Sequence, residues 1–397
     1  LNRHYYIGKY LKRARYSPIV FVGSKIHNSS IQMIKDNSYY KIYDNYEYPY
    51  VFIKTCDYSK SRRKRVYSMF EFYKNLIRAT ADFDKPDVII GSSPHPLAAI
   101  AAIKLAKKHN CISVVEIRDL WPESFVAYNV VKKNNPLLKP LYAGEKWIYK
   151  KADKLIFTME GGKDYIIEKG WDKQHGGPID LNKVYHINNG VDLEVFNYNK
   201  EHYKLDDDDL NDNNAFKVIY TGSIRLVNQV GIVLDVAKCL QGNGHNDIKF
   251  LIYGDGDQVN ILKQRLRNEN INNVYFKGHV DKKYIPYVTS RGDLNIVVGK
   301  SRSLHRFGTS ANKRFDYFAS GKPTLATTTP AYSLIKRYRA GSEVPLTEIE
   351  SVANEIIRYK NMPKEEYNQY CINALKAAKD YDFKVLTEKL LDIINEH

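Results

Sequence analysis

Short runs rich in β-branched and aromatic residues alternate with helical patterns almost from one end of this chain to the other. In the first half the runs are "PIVFVGS", "DVIIGSS", "SVVEIRD", "KLIFT" and "KVYHINN". In the second they are "KVIYTGS", "KFLIYGDG", "NVYFKGH", "LNIVVG" and "PTLATTT". Strands separated by helices join through right-handed crossovers, which yield parallel sheets covered on both faces. A polar stretch, "NKEHYKLDDDDLNDNN" at 199–214, separates the two sets and reads as a linker or surface loop. The expected fold is α/β: two doubly wound, Rossmann-like domains facing a cleft. The first spans 1–195, a linker 196–214, the second 215–378, and a closing helix 379–397. A length of 397 residues agrees with two cores rather than one.

Charge is distributed unevenly. Residues 1–190 hold 32 Lys and Arg against 18 Asp and Glu, whereas the remainder holds 29 against 27. A basic half-molecule suits an anionic partner such as a membrane surface, a lipid phosphate or a nucleic acid. The densest run, "KSRRKR" from Lys60 to Arg65, leads into "VYSMFEFYKNLIRAT". A helix there has Met69, Phe70, Phe72, Tyr73 and Ile77 available for an apolar side. Two readings stand: a core helix with a solvated basic start, or a membrane-docking helix. Cys56, Cys111, Cys239 and Cys371 are far apart and form no CxxC, which suits a reducing compartment. The eleven histidines form no HxxxH, and no metal site is expected. "LDDDDLND" has DxD-like spacing, but no strand leads into it and it reads as a solvated loop. No apolar run reaches bilayer length. The chain begins with Leu1 rather than Met, so a segment ahead of it is expected.

Ligands of doubly wound sheets bind beyond the carboxyl ends of the strands. "YTGSIR" places Gly222, Ser223 and Arg225 at such an end, where small residues admit a phosphate and Arg225 supplies charge. "YGDGD", with Gly254 and Gly256, is similar, but a structural turn is the favoured reading there. "IIGSSPHP" puts Ser92, Ser93 and His95 at another strand end, with Pro94 suited to a first helical turn; His95 is a candidate for proton handling or a structural histidine. "EIRDLWPES" crowds Arg118, Asp119, Trp121 and Glu123 together, as a polar rim with an aromatic wall for a polyhydroxylated ligand or as a salt-bridge corner. "GTSANKRFDYFASGKPT", 308–324, reads as a loop entering a helix capped by Thr309 or Ser310, with Phe315 and Phe318 on its apolar side. Lys313 and Asp316 share a neighbouring face of its first turn, either as an ion pair or as ligand-binding groups.

Taken in order, "RHYYIGKYL", "RDLWPES", "KWIYKKADKLIFTMEGGKDYI", "INNGVDLEVF", "YTGSI", "YGDGD", "SANKRFDYFASGKP" and "YDFKVLTEKLLDII" resemble the bacterial family 4 glycosyltransferases of the GT-B fold. The branch that builds surface polysaccharides is the nearest likeness. The resemblance implies that residues 308–321 floor a nucleotide-sugar site. Ser310, Asn312 and Lys313 would meet the diphosphate there and Asp316 the ribose. Gly222, Ser223, Arg225 and Gly254 would complete the phosphate side, and Gly278 to Val280, including His279, would meet the base. Asp119, Arg118, Glu123 and His95 become the catalytic candidates, with Arg3 and Trp121 on the acceptor side. Three departures stand out. Gly308 replaces the first of the family's two spaced glutamates, and Arg118 replaces a histidine. The opening strand and glycine loop are absent before "RHYY".

The implied activity is retaining sugar transfer from a nucleotide diphosphate sugar, with uridine the family's commonest base. The acceptor would be lipid-linked or a saccharide. No cofactor or metal is required, positive groups stabilise the departing diphosphate, and domain closure excludes water. Expected partners are the donor, the acceptor and an anionic membrane surface, not nucleic acid; the location is cytoplasmic, at the inner face of the plasma membrane. Rival readings are a sugar-nucleotide epimerase of the same fold and a non-catalytic basic binding protein.

Overall fold

A computed structural model describes residues 2–26, 31–44, 46–59, 61–346 and 348–396. Lys60, which opens the basic run, and the side chain of Arg62 lie outside the described residues. The chain divides into two compact units, Leu1–Asn188 with Leu386–His397, and Asn189–Val385.

In the first unit, β1 (Val20–Gly23), β2 (Tyr40–Tyr43) and β3 (Tyr50–Ile53) form a sheet of order β1-β3-β2, in which β1 and β3 are parallel and β2 antiparallel. A second sheet holds β4 (Val88–Ser92), β5 (Ile112–Ile117), β6 (Lys154–Phe157) and β7 (Val184–His186), parallel and in chain order. The helix Pro96–His109 links β4 to β5 and buries Ala99, Ala101, Ala102, Leu105 and Ala106. It approaches β4 so closely that a Cβ on Gly91 would lie 2.5 Å from the Ala102 methyl. The helix starts at Pro96, with His95 as its N-cap residue, so Pro94 lies just ahead of it rather than in its first turn. Pro96 fits because the first helical position needs no N–H donor.

The second unit is one parallel sheet. Its strands are β8 (Phe216–Thr221), β9 (Ile248–Tyr253), β10 (Val274–Gly278), β11 (Leu294–Val297), β12 (Thr324–Ala326) and β13 (Gly341–Glu343), in the order β10-β9-β8-β11-β12-β13. From β8 the chain builds outward on one side and then returns to add β11 on the other. The carboxyl ends of β8 and β11 therefore flank a topological switch point, where doubly wound sheets bind ligands. Ile219, Leu251, Ile252 and Leu325 are fully buried in these strands.

The stretch expected to be a linker is folded. A helix spans Leu193–His202, a short helical turn spans Asp208–Asn211, and Leu210 is fully buried with Ile219, Leu251 and Val288. Its acidic residues are taken up by the sheet. Lys277 Nζ lies 2.6 Å from Asp207 and 2.7 Å from Asp209, Lys249 pairs with Asp209 and Asp212, and the Tyr253 hydroxyl donates to Asp207. Cross-element lysines, invisible to local composition, turn a solvated-looking acidic run into a docked segment. The closing helix, Phe383–Asn395, groups with the first unit from Leu386 onward; Lys154 Nζ donates to the Glu396 carbonyl at 2.9 Å and the Tyr185 hydroxyl to its carboxylate.

Candidate active site

At the switch point of the second unit, backbone packs against backbone. Gly222, just after β8, has φ +130°, and its N–H donates to the Tyr253 carbonyl at 2.9 Å. Gly254 follows β9 with φ +154°, and its N–H donates to the Gly278 carbonyl at 2.7 Å. A Cβ on Gly254 would sit 1.8 Å from the Gly222 carbonyl oxygen, so only glycine allows these loops to meet. Three strand ends are thereby joined into one floor.

The helix Asn312–Ala319 enters this floor. Tyr317 is fully buried, and its phenolic oxygen accepts hydrogen bonds from the Thr221 N–H at 2.9 Å and the Thr221 hydroxyl at 3.3 Å. One turn earlier Lys313 lays its ammonium over the Tyr220 ring, 4.0 Å from the centroid, in space that a side chain on Gly222 would invade. Lys313 and Asp316 make no ion pair with each other, and neither makes a side-chain hydrogen bond to a described residue. Burial raises the Asp316 carboxyl above its ordinary value, with Lys282 opposing. The helix also lacks the expected cap. Its N-cap residue is Ala311, the Thr309 hydroxyl accepts from the buried Arg314 guanidinium at 2.6 Å, and the Ser310 carbonyl accepts from the Asn189 amide. First-turn N–H groups without a side-chain cap beside a lysine form an anion-receptive end. Ser223 accepts from Asn228 through its hydroxyl, and Arg225 is exposed in the same loop. Gly278, with φ +79°, and His279 are exposed, while Val280 turns toward the cluster around Leu210.

In the first unit the end of β5 carries a half-buried Arg118 and an exposed Asp119, with Trp121 edge-on to Phe125 at 5.4 Å. Two sequence candidates belong elsewhere. Glu123 is buried and accepts from the Tyr142 hydroxyl at 2.5 Å and the Lys169 ammonium at 2.6 Å, a structural pairing rather than a group open to a reactant. Arg3 is buried too. It binds Glu116 through Nε at 2.7 Å and the carbonyls of Ile187 and Asn188, so it ties the opening helix to β5 and β7 instead of facing an acceptor. His95 is half-buried, 5.8 Å from Phe72, with a buried Nδ1 that has no hydrogen-bond partner. Burial lowers its pKa to about 4, so the ring is neutral at pH 7.

Sequence reasoning passed over Glu116 and Glu145. Burial alone raises Glu116, but Arg3 and His4 hold it well below the usual carboxylate range; the Ser92 hydroxyl also donates to it, at 2.9 Å. Burial pushes Glu145 up to about 8, against hydrogen bonds from the Tyr149 and Tyr165 hydroxyls. A carboxylate inside the apolar run "SVVEI" was a readable signal, since a strand buried on both faces holds a charge only against a partner.

Solved structures of similar fold include Anabaena HepE in complex with UDP-glucose, with a TM-score of 0.61 and 16% identity over 87% of this chain and 85% of that one. Sucrose-phosphate synthase from Thermosynechococcus elongatus matches with a TM-score of 0.71 and 14% identity, over 98% of this chain and 90% of that one. The α,α-trehalose 6-phosphate synthase from Burkholderia multivorans gives a TM-score of 0.71 and 11% identity, over 98% and 93%. No curated protein matches the chain in sequence. The family model described as Glycosyltransferase Family 4 matches residues 5–195, and that described as Glycosyl transferases group 1 matches residues 204–377. The two models account for nearly the whole length and meet the sheets unit by unit: the protein belongs to the family 4 glycosyltransferases of the GT-B fold.

Proposed function

We propose that the enzyme transfers a sugar, with retention of configuration, from a UDP-linked donor to a lipid-linked or saccharide acceptor during assembly of a cell-surface polysaccharide. The observation that carries this reading is the pairing that Lys313 and Asp316 do not make. A cation and a carboxylate three residues apart on one helix lie within reach of each other. Here the lysine is held over Tyr220 beside Gly222, and the carboxylate is half-buried one turn on, its pKa raised by that burial. A nucleoside diphosphate supplies both missing partners, phosphate oxygens for Lys313 and the uncapped helix start, and ribose hydroxyls that donate to Asp316. The similarity to a fold solved with UDP-glucose supports uridine as the base.

In the transfer the bond from the anomeric carbon to the diphosphate breaks, a bond from that carbon to an acceptor hydroxyl oxygen forms on the same face, and the hydroxyl proton passes to the departing diphosphate. Negative charge grows on the leaving oxygen, where Lys313 and the first-turn N–H groups stabilise it without a metal. Arg225 adds positive charge from the neighbouring loop. In the first unit Asp119 and Arg118 orient the acceptor, and Trp121 offers an apolar face to a sugar ring. Contact with the cytoplasmic leaflet gives access to a lipid-linked acceptor; among the described residues no helix is long and apolar enough to cross a membrane.

The test is incubation of the chain with a panel of UDP-sugars, with and without polyprenyl-diphosphate saccharides, followed by mass and anomeric analysis of the products. Acceptor-dependent transfer with retained configuration is expected. Conversion of the sugar nucleotide without acceptor identifies an epimerase instead, and an inverted product contradicts retention.

A further inference from the structure

The helix Arg62–Ala79 carries a surface that folding of the first unit leaves unused. Leu76 and Ala79 are buried, and Phe72, Tyr73 and Ile77 pack against a cluster containing Val51 and Ile53. Phe70, expected with them on the inner side, is 58% exposed, as are Val66 at 54% and Tyr67 at 61%. At 100° per residue, Arg63, Val66, Tyr67, Phe70 and Lys74 fall within about 100° of arc. The result is an apolar patch with a cation at each end.

Two features set this patch apart from scattered exposed apolar residues, which are ordinary. The first is charge. The helix has six Arg and Lys but a single carboxylate, Glu71, which is occupied by the Cys56 N–H at 2.6 Å. The second is position. Arg63, Lys64 and Arg65 lie in the first turn with no acidic residue, against the positive end of the helix dipole. Folding stability alone disfavours that arrangement, whereas an anionic surface compensates it. Self-association does not, because two copies of this stripe would bring Arg63 and Lys74 together with no carboxylate between them.

We infer that this helix lies in the headgroup region of an anionic bilayer, with Val66, Tyr67 and Phe70 entering the acyl boundary and Arg63 and Lys74 meeting lipid phosphates. The inference gives the proposed lipid-linked acceptor its physical context, but the binding itself does not depend on the chemistry of transfer.

Flotation of the full chain with phosphatidylcholine vesicles, with or without phosphatidylglycerol, tests it. The wild type should float with the anionic vesicles and not with the neutral ones. Tyr67→Ser with Phe70→Ser should weaken partitioning roughly tenfold or more, and Arg63→Gln with Lys74→Gln roughly fivefold per cation removed. Both variants should keep the wild-type circular dichroism and the wild-type response to UDP. Equal flotation on both vesicle types, no flotation on either, or variants that float like the wild type would overturn the inference. A dimer in sedimentation that Phe70→Ser dissociates would overturn it in favour of a second copy. Flotation that holds while no nucleotide binds would leave the docking face standing and remove the transferase reading instead.

Discussion

Tyr317→Phe removes a single oxygen atom from the join between β8 and the helix that carries Lys313 and Asp316. The ladder between β11 and β8 ends at Ile219, so β11 offers the Thr221 N–H no carbonyl, and the Tyr317 hydroxyl accepts from it at 2.9 Å. The site is dry, with Tyr317 fully buried and Thr221 at 4% exposure. Phenylalanine fills the same volume but strands that donor, a cost of about 1–3 kcal/mol. For a domain near the size of the second unit, at about 2–4 °C per kcal/mol, the melting temperature falls by roughly 2–12 °C. The assay can separate the units, because Trp121, Trp147 and Trp171 all lie in the first. The backbone circular dichroism transition should shift down while the indole fluorescence transition holds. Affinity for UDP should fall as well, since Lys313 is one turn from the lost bond. A variant that melts and binds UDP like the wild type would refute this account of the join.

Glu145→Gln tests a pH effect. The folded-state pKa near 8 lies above the ordinary 4.5, so the folded protein keeps a proton that the unfolded chain releases, and wild-type stability declines from about pH 4.5 to pH 8. The variant should match the wild type at about pH 4 and exceed it by about 2–5 kcal/mol above pH 8 in urea titrations followed by fluorescence; an equal difference at both values contradicts it. Gly254→Ala drives a methyl to 1.8 Å from the Gly222 carbonyl and should cost more than about 2 kcal/mol and abolish UDP binding. Gly244→Ala, also at positive φ but with no atom within 4 Å, should cost only the left-handed strain of about 1–2 kcal/mol and keep binding.

The parts of this enzyme that could be read locally were those set by periodicity. Runs such as "KVIYTGS" and "KFLIYGDG" became β8 and β9, and their terminal glycines became the floor of the site, because strand and turn chemistry are written within a few residues. The misreadings were long-range. Arg3 lies 113 residues from Glu116, and Glu123 lies 46 from Lys169, so nothing near either residue showed that it was already paired. The acidic stretch at 206–212 looked solvated because Lys249 and Lys277 reach it from other strands. The outward turn of Phe70 was missed because an apolar helical pattern does not show which of its residues finds a core. Thr309 is likewise a reasonable cap by type, but Arg314, buried five residues on, claims its hydroxyl.

The measurement closest to the central claim is calorimetric titration of UDP, GDP, ADP and free uridine into the full chain and into Lys313→Ala and Asp316→Ala. UDP should bind best. Loss of a charge-assisted contact of about 1.5–3 kcal/mol predicts roughly 10- to 150-fold weaker UDP binding to Lys313→Ala. Uridine should be insensitive to that change yet weakened by Asp316→Ala, because the proposed donor pose sets phosphate at the lysine and ribose at the carboxylate. A chain that binds none of the nucleotides, or variants that bind UDP as tightly as the wild type, would contradict the placement of the donor at this helix.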